Sequence, residues 1–299
     1  MLTIVIPARN ELYLTQTVDD IFANAAGEIE VIIALDDCWN LPLPADRPNL
    51  TILHWGGRRG MRAGINAAAA IGKGKYLMKV DAHCKFSQGF DEVLKKDCAE
   101  DWIVIPRRYA LDAEAWEVKT DRPVYDYMYL AYPAIDENNQ LGLHGQNWPE
   151  RGKERRGREF DIDETMSFQG SCWFTRMDYF KRLVYPMDEA GYGMFIGEPN
   201  EIGLKAWLSG GRVMVNKHCW YAHLWKGQQY RELHLQRMGF PYTRVGRQER
   251  KRGNAYNLDF WFNNRWTERK HDLAWLVDRF APVPTWPAER ELWTTLPKY

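Results

Sequence analysis

The chain has 299 residues, and its 40 basic and 40 acidic side chains cancel to a formal net charge of zero. Hydrophobic residues make up 45% and aromatic residues 14%, which excludes wholesale disorder and allows one large core or two modest ones. Because the charge is balanced, the net charge predicts no polyanionic partner, and any such partner must be argued from local clusters of basic residues.

The cysteines and the N-terminal stretch bear on the cellular compartment. Five cysteines without CxxC spacing argue against a disulfide framework and favour a reducing cytoplasm. His83-Cys84 and His218-Cys219 lack the spacing of a zinc finger, so inert thiols are favoured over a zinc site. The chain opens directly on apolar, β-branched residues, and no stretch reaches the about 18 apolar residues of a membrane span. We therefore expect a soluble, cytoplasmic protein without a membrane partner.

Short apolar strands alternate with helices along the first third of the chain. We predict strands over residues 2–6, 30–35, 50–54 and 76–80, with Pro7 ending the first, and helices over residues 11–25 and 61–71. Such alternation with short links implies parallel strands joined by right-handed crossovers. Sheets of this kind bind ligands at the carboxyl ends of their strands.

Polar residues follow three of these strands at the expected binding edge: Pro7-Ala8-Arg9-Asn10-Glu11, Asp36-Asp37 and Asp81-Ala82-His83. Asp81 and His83 are two residues apart, so they can reach one object together, and a divalent metal ion is the foremost candidate. Oxygen and imidazole ligands suit Mn²⁺ better than Mg²⁺ or Zn²⁺. The alternative is a strand end whose polar side chains are simply exposed to solvent. Taken by themselves, Asp81 and His83 favour this alternative. Three converging polar strand ends favour a binding site.

A glycine-rich, arginine-bearing turn precedes the second predicted helix. It reads Gly56-Gly57-Arg58-Arg59-Gly60. Free backbone amides and guanidinium groups both favour anions, so this turn suits a diphosphate. The alternative is that Gly56 and Gly57 merely permit the turn.

In order and spacing, these segments resemble family 2-like glycosyltransferases of the GT-A fold, and more closely the polypeptide N-acetylgalactosaminyltransferases. A second part of the resemblance lies in Gly197-Glu198-Pro199-Asn200-Glu201, in a helix ending at Gly210-Gly211, and in His223-Leu224-Trp225-Lys226. Pro199 stands where that family has asparagine, and Lys226 where it has arginine. The resemblance covers about residues 1–111 and 165–227.

The resemblance implies an α/β fold, namely a Rossmann-like, nucleotide-sugar-binding GT-A sheet that is mostly parallel and carries helices on both faces. The GT-A domain would span residues 1–227, with residues 112–164 as an insertion on the acceptor side. Residues 228–299 would form a C-terminal helical or irregular extension that acts as a lid or binds the acceptor. These unmatched parts are expected to hold the acceptor specificity, since function varies on a retained scaffold.

The resemblance also implies a transferase that uses a UDP-sugar donor and Mn²⁺ or another divalent metal. His223 would join Asp81 and His83 as a metal ligand, and Lys226 and Arg62 would lie near the diphosphate. Gly170 would leave room for the donor's hydroxyl groups. The other positions expected to line the donor site are Pro7, Ala8, Arg9, Asn10, Glu11, Asp36, Arg59 and Ala82.

Two carboxylates in the second segment are candidate catalytic residues. By the resemblance, Glu198 would lie on the sugar or acceptor side. In a retaining transfer Glu198 would orient sugar or acceptor while the departing phosphate takes the acceptor's proton. In an inverting transfer Glu198 or Glu201 would be the general base. For Glu201 the alternative is a carboxylate favoured by the dipole at a helix start.

Two basic clusters outside the matched scaffold bear on the acceptor. The first consists of Arg151, Lys153, Arg155, Arg156 and Arg158, and the second of Arg244, Arg247, Arg250, Lys251 and Arg252. Aromatic residues flank them and could stack on bases or sugars: Trp148, Phe160, Tyr242, Tyr256, Trp261 and Trp266. The alternative is solvated basic loops with aromatic core anchors. The clusters favour a polyanion, with hydroxymethylated pyrimidine DNA as the most concrete acceptor and a protein or a glycan as alternatives.

Two further classes of protein share parts of this pattern. A sugar-phosphate nucleotidyltransferase should open with a GxGTR-type loop, whereas this chain has Pro7-Ala8-Arg9-Asn10-Glu11. A non-catalytic module that binds nucleic acid or carbohydrate would keep the basic and aromatic patches but would not need three metal ligands. The sequence therefore favours a transferase.

Overall fold

The computed structural model describes residues 1–38, 42–135 and 141–296. Fourteen β-strands are present in these residues: β1 Leu2–Ala8, β2 Ile29–Asp36, β3 Leu50–Trp55, β4 Tyr76–Val80, β5 Cys84–Phe86, β6 Trp102–Asp112, β7 Glu117–Val118, β8 Met128–Leu130, β9 Ala134–Ile135, β10 Leu141–Gly142, β11 Gly145–Asn147, β12 Ile162–Glu164, β13 Cys172–Arg176 and β14 Arg212–His223. The predicted alternation of strands and helices is confirmed over the first 80 residues, with ends that shift by at most three residues.

Ten α-helices accompany the strands in the described residues: α1 Leu14–Asn24, α2 Gly60–Ile71, α3 Phe90–Asp97, α4 Pro149–Glu154, α5 Met177–Leu183, α6 Glu189–Tyr192, α7 Glu198–Leu208, α8 Gln228–Met238, α9 Arg247–Phe262 and α10 Leu273–Phe280. Short 3-10 helices lie at Arg158–Phe160 and Arg290–Thr294. Across the parts of the chain that the structure describes, every helix is too short or too polar to cross a membrane.

Local sequence features fix several helix ends. Asp272 caps α10 because its carboxylate accepts a hydrogen bond of 2.8 Å from the amide of Trp275. Gly239 ends α8 in the left-handed conformation, with φ of 77°. Gly197, also left-handed with φ of 68°, precedes α7, and Pro199 lies in the first turn of that helix, where a proline costs no hydrogen bond.

Ten strands form one mixed sheet, whose main path runs β12-β14-β6-β13-β4-β1-β2-β3. Strands β4, β1, β2 and β3 are parallel, as predicted. Strand β13 runs antiparallel between β4 and β6, and β14 is parallel to β6. Because β13 is antiparallel to both of its neighbours, β4, β6 and β14 point the same way, and their carboxyl ends share one edge.

Helices cover both faces of the sheet, which confirms the predicted α/β class. Ile4 and Ile6 of β1 pack in a core with Val18 of α1, whereas Val5 faces a second core that contains Ile65 of α2. Alternate residues of a strand point to opposite faces, so a nearly continuous apolar strand such as β1 serves both cores.

The prediction that Pro7 ends the first strand is wrong, since β1 continues through Pro7 to Ala8. Strand β1 pairs with β2 along the whole length of β1, but it pairs with β4 only as far as Val5. Pro7 therefore lies where β1 has a partner strand on one side alone, an edge-like setting in which a missing N–H group is tolerated.

The C-terminal extension packs into the scaffold. Trp261 of α9 and Phe280 of α10 belong to the same buried cluster as Trp173 of β13 and Trp207 of α7. Of the aromatic residues that flank the basic clusters, Trp148, Trp261 and Trp266 are buried, which fits core anchors rather than stacking platforms. The domain boundary at residue 227 stays a prediction, and residues 136–140 of the predicted insertion lie outside the described residues.

Candidate metal and donor site

The sheet brings Asp81, His83 and His223 together at its carboxyl edge. Asp81 follows β4, and His223 is the last residue of β14. After Asp81 the chain turns into β5, which pairs antiparallel with the end of β14 so that Cys84 lies opposite His223. The amide of Leu224 also donates to the carbonyl of His83, at 3.2 Å. This short pairing holds the two histidines side by side.

Three side-chain atoms converge there. The Nε2 atoms of His83 and His223 lie 3.1 Å apart, and Asp81 Oδ2 lies 3.3 Å from His223 Nε2 and 3.8 Å from His83 Nε2. Among the described residues these three form the one group whose ligand atoms all lie within 4.8 Å of one another. One carboxylate and two imidazoles suit a divalent transition metal such as Mn²⁺, so the predicted ligand set fits such an ion.

Glu11 supports this group from behind. Its Oε2 lies 3.3 Å from Nδ1 of His83, which leaves Nε2 of that ring facing the cluster. A carboxylate behind a ligating imidazole fixes the ring's orientation and tautomer. Burial opposes the ionised form, but Lys226 and His83 outweigh it and lower the pKa of Glu11 to about 2. Glu11 was predicted to line the donor site, and the structure places it behind the histidine.

Lys226 is held by the same carboxylate. Its Nζ donates to Glu11 Oε1 at 2.5 Å and to the hydroxyl of Tyr242 at 3.2 Å. The ammonium also lies over the rings of Tyr230 and Tyr242, at 5.3 and 4.8 Å from their centroids. The predicted diphosphate contact of Lys226 stays a prediction, and in this structure the side chain is anchored by Glu11.

Two of the three ligands, Asp81 and His223, are held in the protonation states that metal binding requires. Burial lowers the pKa of His223 to about 4, against the effect of its hydrogen bond with Asp81. Burial alone would raise the pKa of Asp81, but Lys79 and then His223 hold it well below its usual value. Near neutral pH the site therefore offers a neutral imidazole at His223 and an ionised carboxylate at Asp81.

Lys79 was not predicted as a site residue. Its ammonium donates to Asp81 Oδ1 at 2.6 Å and to the carbonyl of Gly170, and lies 3.5 Å from Glu198 Oε2. Burial lowers the pKa of Lys79, but Asp81 and Glu198 outweigh burial and raise it. A sequence signal existed: Lys79 is the one charged residue of an otherwise apolar strand and, two positions before Asp81, it shares a face with that residue.

Glu198 opens α7 and faces the same cluster. Its Oε1 accepts a hydrogen bond of 2.7 Å from Nε1 of Trp173, and its side chain is almost fully buried. Burial raises the pKa of Glu198, against the opposing effect of Lys79. A Cβ atom at Gly170 would lie 2.4 Å from Glu198 Oε2, so only glycine permits this approach. The structure thus brings Gly170 and Glu198 together, as a shared site requires.

Arg62 and Glu201 pair with each other. Both side chains are fully buried, and Nη1 of Arg62 donates to Glu201 Oε2 while Nη2 donates to the carbonyl of Ile196 at 2.6 Å. Glu201 also accepts from Lys205 at 2.9 Å. This arrangement fits a structural ion pair. The predicted roles of Arg62 at the diphosphate and of Glu201 as a base stay predictions.

The glycine-rich turn is organised differently from the prediction. Asp36 Oδ1 accepts hydrogen bonds from the backbone amides of Arg59, at 2.6 Å, and Gly60, at 3.0 Å. These two amides are therefore not free for an anion, and any phosphate contact at Arg59 would come from its guanidinium. Asp36 itself, predicted to line the donor site, fixes the start of α2 with one oxygen.

The loop after β1 offers unused donors. Nε and Nη1 of Arg9 are buried and have no hydrogen-bond partner in the described structure. Asn10 adopts the left-handed conformation, with φ of 52°, and its carbonyl lies 2.9 Å from Nε2 of His234 in α8. Ala8 and Ala82 are buried. Buried N–H groups without partners fit a ligand that supplies acceptor atoms, as the predicted nucleotide would.

Comparisons with known proteins agree with this architecture. Residues 3–184, more than half of the chain, match the model of the family described as Glycosyl transferase family 2. Polypeptide N-acetylgalactosaminyltransferase 5 of Caenorhabditis elegans is 25% identical over 167 residues, which are 55% of this chain and 25% of that protein. The chain thus spans about a quarter of this relative's length.

Solved structures are similar to this chain to different degrees. The crystal structure of GalNAc-T7 with UDP, GalNAc and Mn²⁺ has a TM-score of 0.64 and 16% identity, covering 88% of this chain and 49% of that chain. S. aureus TarS 1-349 in complex with UDP-GlcNAc has a TM-score of 0.46 and 12% identity, covering 93% of this chain and 80% of that chain. The predicted resemblance and the GT-A fold are confirmed, and the chain belongs to glycosyl transferase family 2.

Proposed function

We propose that this protein transfers a sugar from a UDP-sugar to a hydroxyl group, in a reaction that depends on Mn²⁺ or a similar divalent ion. The convergence of Asp81 Oδ2 with the Nε2 atoms of His83 and His223 carries the proposal. The crystal structure of GalNAc-T7 with UDP, GalNAc and Mn²⁺ supports this class of donor and metal.

Breaking the bond between sugar and diphosphate leaves negative charge on the departing phosphate oxygen. A divalent ion held by the three ligands would stabilise that charge. The chain's own residues orient the reactants: Glu11 fixes His83, Lys79 holds Asp81, and Glu198 lies between Trp173 and Lys79. We propose retention of the anomeric configuration, with Glu198 orienting sugar or acceptor while the phosphate takes the acceptor's proton.

For the acceptor we propose hydroxymethylated pyrimidine DNA, whose base hydroxyl is a nucleophile and whose phosphates attract cations. The second basic cluster supports this acceptor. It includes the first turns of α9, where Glu249 accepts from the amide of Met194 at 3.1 Å. The carbonyl of Met194 in turn accepts from the amide of Arg62, and Met194 lies in the segment that leads to Glu198. A polyanion on α9 would therefore lie beside the proposed sugar site.

The first basic cluster supports a polyanion less well. Arg151 lies over the rings of Tyr127, Trp148 and Phe280, at 5.1 to 5.5 Å from their centroids. Arg155 lies over Phe160 at 4.5 Å. These two guanidinium groups contribute to packing, which leaves Lys153, Arg156 and Arg158 exposed.

A polypeptide is the second candidate acceptor, because the C. elegans relative is named as a polypeptide transferase. Incubating the protein and Mn²⁺ with labelled UDP-sugars and either hydroxymethylated DNA, unmodified DNA or a peptide pool distinguishes the candidates. We expect label in hydroxymethylated DNA alone. Label confined to peptide would eliminate the DNA acceptor, and absence of any UDP release would contradict the enzymatic proposal itself.

Reversing the charge of Arg250, Lys251 and Arg252 to glutamate is expected to impair transfer to DNA while sparing UDP-sugar hydrolysis. For every phosphate that the variant no longer neutralises, the slope of log affinity against log salt should become shallower by about 0.9. Filter binding at several salt concentrations and a hydrolysis assay measure the two effects. The matched control reverses Lys153, Arg156 and Arg158, the exposed part of the first cluster. If both variants lost transfer to DNA equally, the assignment of DNA binding to the basic cluster of α9 would be wrong.

A further inference from the structure

Lys79 occupies an unusual place for a lysine. Only about 1% of the residue is exposed, and its Nζ has three acceptors: Asp81 Oδ1, the carbonyl of Gly170, and Glu198 Oε2 at 3.5 Å. Three acceptors around one nitrogen match the three N–H donors of an ammonium group. Burying a charge is costly unless it is paired, so this ammonium and the two carboxylates depend on one another.

The two oxygens of Asp81 face different partners. Oδ1 receives the ammonium of Lys79, whereas Oδ2 faces the Nε2 atoms of His83 and His223. Lys79 therefore fixes the rotation of the carboxylate so that a single oxygen is directed at the histidines. The same ammonium supplies a positive charge beside Glu198, whose other oxygen is held by Trp173.

A fixed cation next to a metal ligand has two electrostatic consequences. Without a bound metal ion it balances the buried carboxylate of Glu198 and the partly buried carboxylate of Asp81, which would otherwise repel each other. With a divalent ion present it repels that ion, and the repulsion is large because the group is buried, where charges are screened less than in water.

Resting on the metal-dependent function proposed above, we propose that Lys79 is a positioning residue that acts as an internal counter-cation. It keeps Asp81 and Glu198 in place in the metal-free protein, and it weakens the affinity of the site for divalent ions. The site is then formed before metal and donor arrive, and the metal ion can leave again with the UDP product.

The test compares wild-type protein with Lys79→Met, which removes the charge at similar volume, and Lys79→Gln, which also keeps a hydrogen-bond donor. Free Mn²⁺ is measured by electron paramagnetic resonance during titration, in the absence and presence of UDP, and the Tm is recorded with and without Mn²⁺. We expect both variants to bind Mn²⁺ at least about tenfold more tightly than the wild type does. We also expect a lower Tm in the metal-free variants and a larger gain on adding Mn²⁺ than in the wild type.

Lys95→Met is the matched control, because Lys95 also pairs with a buried carboxylate, that of Asp91 at 2.9 Å, but belongs to α3. Its Mn²⁺ affinity should equal that of the wild type. A damaged fold would weaken the metal site, so tighter Mn²⁺ binding cannot be explained by misfolding. If Lys79→Met does not fold, the Mn²⁺ affinity of Lys79→Gln is compared with that of the wild type instead. Unchanged or weaker Mn²⁺ binding by the folded Lys79 variants would overturn the inference while leaving the metal site intact. Absence of Mn²⁺ binding by the wild type would overturn both this inference and the proposed metal-dependent function.

Discussion

Replacing Asp81 with asparagine is expected to lower Mn²⁺-dependent release of UDP from a UDP-sugar by about a thousandfold or more. The asparagine removes the negative charge that faces the two histidines but keeps an oxygen that can accept from Lys79. Asparagine is preferred to alanine here, because alanine would leave the buried ammonium of Lys79 without an acceptor oxygen at this position. Turnover is measured as UDP release across an Mn²⁺ titration.

His83→Ala and His223→Ala should show the same loss, together with weaker Mn²⁺ binding. His218→Ala is the matched control, since His218 also belongs to β14 but pairs with Asp97 at 2.9 Å and is half-exposed. The control should keep wild-type turnover and Mn²⁺ affinity. Normal metal-dependent turnover in any of the three ligand variants would refute the assignment of that ligand.

Glu198→Gln is expected to lower sugar transfer by about a hundredfold to ten-thousandfold. Glutamine has the same shape and retains an acceptor for Trp173, but it removes the charge that faces Lys79. Because Glu198 is not among the three metal ligands, Mn²⁺ binding should persist, which separates this variant from Asp81→Asn. Initial rates of transfer and Mn²⁺ titrations together measure the effect.

Glu201→Gln is the control for Glu198→Gln. Glu201 pairs with Arg62 and Lys205 in the buried core, so its neutralisation should lower the free energy of unfolding by about 3 kcal/mol or more while the folded fraction keeps its turnover. If Glu201→Gln instead lost turnover without losing stability, the carboxylate of Glu201 would regain a role in the chemistry.

The anomeric configuration of the product decides the role of Glu198. A retaining transfer from an α-linked donor gives an α-linked product, and NMR of the anomeric proton reads the linkage directly. We expect the α-linkage, with Glu198 orienting the reactants. A β-linkage would assign general-base catalysis to Glu198, since inversion requires a group that takes the acceptor's proton.

Much of the scaffold was predictable because its determinants are local. Strand β4 could be predicted because its five residues form one short apolar run. Asp81 and His83 could be placed on one side of the chain because they are two residues apart. The α/β class followed from the alternation of strands and helices. The same two-residue period places Lys79 on the face of Asp81, so that position could have been predicted from the sequence. The contacts of Lys79 with Gly170 and Glu198 could not.

The sequence by itself determined which elements form and that polar residues gather at one sheet edge, because strand and helix periods depend on neighbouring residues. Only the tertiary structure decided how distant groups pair. His223 reaches His83 through the pairing of β5 with β14, and Glu11 reaches the back of His83 across about 70 residues of chain. Arg62 of α2 and Glu201 of α7 form a buried ion pair between two helices that are far apart in sequence. Such pairings depend on which strands lie side by side, and that order is set by the packing of the whole sheet.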